Sequence, residues 1–87
     1  MLRAIEQLVR GLKTKVGNHS VVTYYVHGCT VKDYVYHSTP ICTVNEDRMT
    51  FSTDNGGWGT QSTTRTINDY RKYFKSCGYK DLNESEE

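Results

Sequence analysis

In the first thirteen residues, MLRAIEQLVRGLK, apolar side chains fall at Leu2, Ile5, Leu8, Val9 and Leu12, with Arg3, Glu6, Gln7, Arg10 and Lys13 between them. Steps of three and four put the apolar set on one stripe and predict an amphipathic helix of about three turns. Gly11 weakens its end, and Gly17-Asn18 turns the chain within KVGNH. The runs SVVTYYVH (20–27) and TVKDYVYH (30–37) are then rich in β-branched and aromatic residues, with Gly28 in the tight turn between them. They read as an antiparallel hairpin.

In the second run Val31, Asp33, Val35 and His37 point one way and Lys32, Tyr34 and Tyr36 the other, so neither face is purely apolar. One covered face and one tyrosine-decorated face are expected. Pro40 forces an extended or turned link before ICTVN, where Ile41 and Thr43 share one side and Cys42 and Val44 the other. Asn45-Glu46-Asp47 makes a turn, and RMTFST follows with Met49 and Phe51 inward, a second hairpin that continues the meander. Ile67, Tyr70 and Phe74 stand at i, i+3 and i+7, with Tyr73 flanking and Lys72 and Lys75 near the end before Gly78. A C-terminal helix of about three turns is predicted.

The expected fold is α+β: an N-terminal helix, a four-stranded antiparallel β-meander and a C-terminal helix, with the helices packed on one sheet face. It forms one domain over residues 1–80, and 81–87 is an acidic tail that frays.

Composition adds little to the topology but narrows the chemistry. At 87 residues with ten aromatics, seven of them tyrosine, the chain has folded-domain composition and a modest core, which leaves room for a partner or a second copy in a homodimer. Residues 1–80 carry eleven Lys/Arg against six Asp/Glu, while 81–87 carry Asp81, Glu84, Glu86 and Glu87. A basic body with an acidic end limits indiscriminate adhesion to nucleic acid, although short charged ends are most simply solvated termini. With no apolar run long enough to span a bilayer and no signal-peptide pattern, no membrane role and a cytosolic location are expected.

Cys29, Cys42 and Cys77 are odd in number and lack a C-x-x-C pair, which suggests neither a disulfide framework nor a zinc site. His19, His27 and His37 are well separated and without H-x-x-x-H companions, so neither metal nor cofactor is implied. A nucleophile at Cys29, beside His27, or at Cys42 lacks an orienting acid, and no enzymatic activity is expected.

The densest cluster of special residues is NGGWGTQSTTRTINDY, 55–70. Its glycines precede a helix, as in phosphate-binding loops, but no Lys follows them and the G-x-G-x-x-G spacing is absent. Turn geometry accounts for them more simply. Thr66 and Asp69 have capping-box spacing, and Ser62 or Thr63 would cap a helix that begins one turn earlier. Gln61 to Arg65 together could also hold an anion at a helix end. Trp58 either plugs the edge of the core or is presented to a partner, with Thr60 and Arg65 beside it. Tyr24, Tyr25, Lys32, Tyr34, Tyr36 and Arg48 offer a face for stacking bases, although tyrosine is also simply favoured in strands.

Residues 34–75 resemble a family of small, uncharacterised proteins of tailed bacteriophages. The signature is Tyr36, His37 and Thr39, a short hairpin, the turn Gly56, Gly57, Trp58 and Thr60, then Thr63, Thr64, Arg65 and Ile67 of a helix. The acidic tail departs from the family pattern. The resemblance implies a phage source, action in the host bacterial cytoplasm and no enzymatic activity. Among such proteins are inhibitors of host defence, anti-CRISPR proteins included, whose partner is a host protein or ribonucleoprotein complex. On that expectation Trp58, Thr60, Arg65, Tyr34, Tyr36 and Arg48 contact the partner. The alternative is a small nucleic-acid-binding accessory protein that uses the tyrosine face with Arg65, Arg71 and Lys72.

Overall fold

A computed structural model describes residues 2–54 and 61–83. The elements are α1 (Leu2–Val9), β1 (Lys15–Val16), β2 (His19–Val26), β3 (Cys29–Tyr36), β4 (Thr39–Asn45), β5 (Thr50–Thr53), α2 (Gln61–Ser76) and β6 (Lys80–Asp81). The six strands lie side by side in chain order, antiparallel from β1 to β5, and β6 joins β5 in parallel. The α+β class stands. The four-stranded antiparallel meander is corrected to a mixed six-stranded sheet, because β1 and β6 are too short to leave a periodic pattern.

Local chemistry explains the turns. His27 and Gly28 at φ +51° and +80°, and His37 and Ser38 at +51° and +69°, join their strands through two-residue turns with both central residues left-handed. Turns of that hand match the twist of the strands they connect. Both helices end on a left-handed glycine. At Gly11 (φ +77°) the Gly11 N–H donates to the Leu8 carbonyl and the Leu12 N–H to the Gln7 carbonyl. At Gly78 (φ +90°) the Gly78 and Tyr79 N–H groups reach back to Lys75 and Phe74 in the same way. This pairing satisfies the orphan carbonyls of the last turn.

The stop at Gly11 makes α1 shorter than its apolar stripe predicts, and Leu12 is exposed. In contrast α2 runs sixteen residues and starts at Gln61, so Thr66 caps nothing. It lies buried in mid-helix, where its hydroxyl donates to the Ser62 carbonyl at 3.0 Å.

Side chains opposite one another across a sheet share a face. Tyr34 opposes Val21 and Cys42, and Lys32 and Phe51 oppose Val44. This is the covered face, where Ile5 and Leu8 of α1 and Tyr70 and Phe74 of α2 complete the core. The helices lie against each other, α1 over β1 and β2, α2 over β4, β5 and β6.

Between Tyr34 and Val35 the β3–β4 register slips, which leaves Ile41 as an extra residue. The bulge turns Ile41 to the core beside Cys42, and both are about 1% exposed. Strict alternation had put them on opposite sides. Met49 also departs from its expected inward place, since it takes φ +54° in the β4–β5 turn and is exposed.

Asp81, counted above with the tail, is a β6 residue only 3% exposed. Arg71 Nε donates to its Oδ2 at 2.9 Å, and the Asn83 N–H donates to Oδ1 at 2.9 Å. The folded unit therefore includes the chain through this point.

Candidate interaction surface

Among the described residues, no helix packs on the other face of the sheet. Its rows, read across the register, are Val22–Asp33–Thr43–Ser52 and Tyr24–Val31–Asn45–Thr50. Asp33 organises the polar part, since Oδ1 accepts from the Thr43 hydroxyl at 2.8 Å and the Tyr24 hydroxyl at 3.2 Å. Beside it lies a concavity of about 510 Å³ lined by Val26, Cys29, Val31, Arg48 and Leu82 among others. Val22, Val26 and Leu82 are exposed, although each is apolar.

The structure separates the residues that the sequence grouped. Tyr34, expected at a partner surface, is fully buried against Tyr70 and Phe74, with ring centroids 5.4 and 5.6 Å away. Tyr36 is half-buried at the seam of sheet and helix, and its hydroxyl is 2.6 Å from Ser62 Oγ at the start of α2. Arg48 is exposed by the open face, whereas Arg65 and Lys72 are exposed on α2, on the helix side of the sheet. Arg71 is engaged by the buried Asp81. Trp58, Thr60 and the glycine loop lie outside the described residues.

The tyrosine face for bases is corrected as well. Tyr24 and Tyr25 alternate, and Tyr34 and Tyr36 face the core layer. Only Tyr24 among these four belongs to the open face.

Sequence reasoning missed His19. It is buried between Tyr36 and Tyr70, with ring centroids 5.0 and 6.2 Å away, and the Tyr70 hydroxyl is 3.4 Å from Nδ1. Its place opposite Tyr36 was readable once the Gly28 hairpin was counted out in register. Burial lowers its pKa below the ordinary 6.5, a neighbouring His37 adds to that, and Asp69 opposes it. The folded state thus prefers the neutral ring and binds fewer protons there than the unfolded chain.

Stability from this site is therefore present above the unfolded pKa near 6.5 and falls as pH drops through the lower, folded value. The urea midpoint is expected to fall more between about pH 8 and about pH 5 in the wild type than in His19→Asn, which keeps a polar atom near Tyr70 but does not titrate. Equal slopes would remove His19 as the source.

Cys42 lies in the core, where burial pushes its thiol up to about 12, so it offers no thiolate at neutral pH. Cys29 and His27 line the same concavity, and no hydrogen bond joins them. Among the described residues no group of three His, Cys, Asp or Glu could hold a metal ion, and no helix is long and apolar enough to cross a membrane.

No protein-family model matches the chain, and no curated protein or solved structure matches it significantly.

Proposed function

We propose that this chain is a non-enzymatic phage protein that inhibits a host defence complex, in the manner of an anti-CRISPR protein, by seating its open sheet face on the complex and occluding a surface there. The observation that carries the binding mode is the asymmetry of the sheet. One face is filled by both helices, and the other has exposed Val26 and Leu82, with Arg48 and the buried Val31, around a concavity of about 510 Å³. Exposed apolar area ringed by polar groups is the usual character of a protein-binding patch. The phage source and the host target come from the sequence resemblance alone. In the host-cytoplasm setting that this implies, the partner is a protein or ribonucleoprotein.

The alternative of a nucleic-acid-binding accessory protein keeps Arg65 and Lys72, exposed two turns apart on α2, but loses both the tyrosine face and Arg71. Expression in a bacterium whose CRISPR system targets a phage is expected to restore plating of that phage. Arg48→Glu combined with Leu82→Glu, both at exposed positions, is expected to abolish the rescue while leaving the thermal midpoint near that of the wild type. Full rescue by the double variant would overturn the open face as the binding surface. No rescue by wild-type protein, together with salt-steep oligonucleotide binding lost on Arg65→Glu, would put the alternative in its place.

A further inference from the structure

The two edges of the sheet are finished differently. At the β5 side, β6 covers Thr50 and Phe51, the Leu82 N–H donates to the Phe51 carbonyl at 2.8 Å, and Asn83 Oδ1 accepts the Thr53 N–H at 2.6 Å. At the other side β1 pairs only with His19 and Ser20, and the Thr14 carbonyl takes the Val21 N–H at 3.0 Å. Beyond Val21, β2 continues to Val26 with no strand among the described residues on its outer side.

The phase of the β2–β3 hairpin says which groups are left on that edge. Its two-residue turn makes Val26 and Cys29 the pair that exchanges both backbone hydrogen bonds, so Val26, Tyr24 and Val22 bond inward to β3. Thr23 and Tyr25 therefore aim their N–H and C=O groups outward. The outward bond of Val21 to Thr14 follows the same phase.

The side chains along this edge are as distinctive as its backbone. Among the described residues six large hydrophobics are exposed, and three of them, Val22, Tyr25 and Val26, belong to this one edge, at 53%, 76% and 40%. Residues 20–26, SVVTYYV, contain no Lys, Arg, Asp, Glu or Pro. Free edges in monomeric proteins ordinarily carry a charge, a proline or a bulge that discourages strand addition.

We propose that this edge is the interface of a symmetric dimer, in which β2 of one copy pairs antiparallel with β2 of a second copy to make one continuous sheet. A two-fold axis sets like against like, so a charged edge would repel itself, and this one carries no formal charge to do so. With Tyr24 on the axis, Thr23 and Tyr25 of one copy exchange backbone hydrogen bonds with Tyr25 and Thr23 of the other. Val22 meets Val26, and Tyr24 meets Tyr24, on the open face. The dimer thus covers the exposed valines and doubles the open face. It takes in Val26, which also borders the surface proposed to contact a host complex, and leaves Arg48 and Leu82 of that surface outside the pairing.

Sedimentation of the purified chain at about 100 µM, a concentration suited to a small strand-paired interface, is expected to give twice the 10.0 kDa monomer mass. Thr23→Pro removes only an outward N–H, a change that edge strands tolerate, and is expected to weaken the dimer about tenfold or more. Tyr25→Lys, at a position 76% exposed, places like charges across the axis and is expected to act the same way without loss of fold. Should the proline variant fail to fold, the lysine variant carries the test. A wild-type mass of 10.0 kDa at that concentration, or wild-type dimerisation by the folded variants, would overturn the proposal.

Discussion

Phe74→Ala is expected to destabilise the protein by about 3–5 kcal/mol, the range for emptying an aromatic site in a well-packed core. The ring is 1% exposed and stands at the centre of the aromatic cluster, with ring centroids 5.6 Å from Tyr34, 5.6 Å from Phe51, 5.5 Å from Tyr73 and 5.3 Å from Tyr79. It also ties α2 to the strands on both sides of the bulge, so the neighbours cannot collapse into the space without moving the helix. A domain of this length has a total stability of about 4–13 kcal/mol, so the loss leaves a marginal fold. The urea midpoint should fall with the slope little changed.

Tyr34→Phe in the same cluster is the control of opposite sign. The Tyr34 hydroxyl is buried without a hydrogen-bond partner among the described residues, and removing it spares an uncompensated desolvation. The variant should be as stable as the wild type or up to about 1 kcal/mol more stable. A loss of stability in Tyr34→Phe equal to that of Phe74→Ala would mean that the packing around these rings is not as described.

The elements that the sequence showed plainly are those governed by short-range chemistry. The two long strands and the Gly28 turn between them follow from β-branched and aromatic runs and from a residue that takes φ +80° without strain. The stripe Ile67, Tyr70 and Phe74 likewise marks the packed side of α2. What was not legible depends on partners distant in the chain. The slip that turns Ile41 inward is set by β3 against β4, and one residue of slip reverses every assignment that follows from alternation. Two-residue β6 exists only because β5 offers it an edge, and nothing in Lys80-Asp81 resembles a strand.

The candidate surface was half legible for the same reason. Alternation put Val31 apart from Tyr34 and Tyr36, as the structure has it, but alternation says nothing about which face the helices cover. Tyr34 and Tyr36, amphipathic enough for either side, were assigned to a partner surface and proved to lie inward. The free edge of β2 needed the strand order as well, since the same residues in a central strand would be ordinary.

Arg71→Ala is expected to destabilise the fold by about 2–4 kcal/mol, and the reason lies in what it leaves behind rather than in what it removes. Asp81 has a side chain 0% exposed, and Arg71 Nε is 2.9 Å from its Oδ2, while the Arg71 side chain itself is 36% exposed. A surface pair of equal length would be worth under about 1 kcal/mol, because water would take over each charge. Here the carboxylate cannot reach water, so it becomes a buried charge that has lost its counter-ion. Asp81→Asn removes that charge and retains the shape, and in its background Arg71→Ala should cost much less than in the wild type. A double-mutant cycle on urea midpoints measures the difference. Because Asp81 holds β6 on β5, amide exchange at Lys80 and Leu82 should quicken in Arg71→Ala before the rest of the sheet opens. Additive costs in the cycle would instead mark the pair as incidental. The same arrangement explains why Arg71 is a poor candidate for a phosphate contact, since moving the guanidinium to a ligand would strand Asp81. Even if the chain binds nucleic acid, Arg71→Ala should leave the salt slope of binding nearly unchanged, whereas Arg65→Ala or Lys72→Ala should each reduce it by about one.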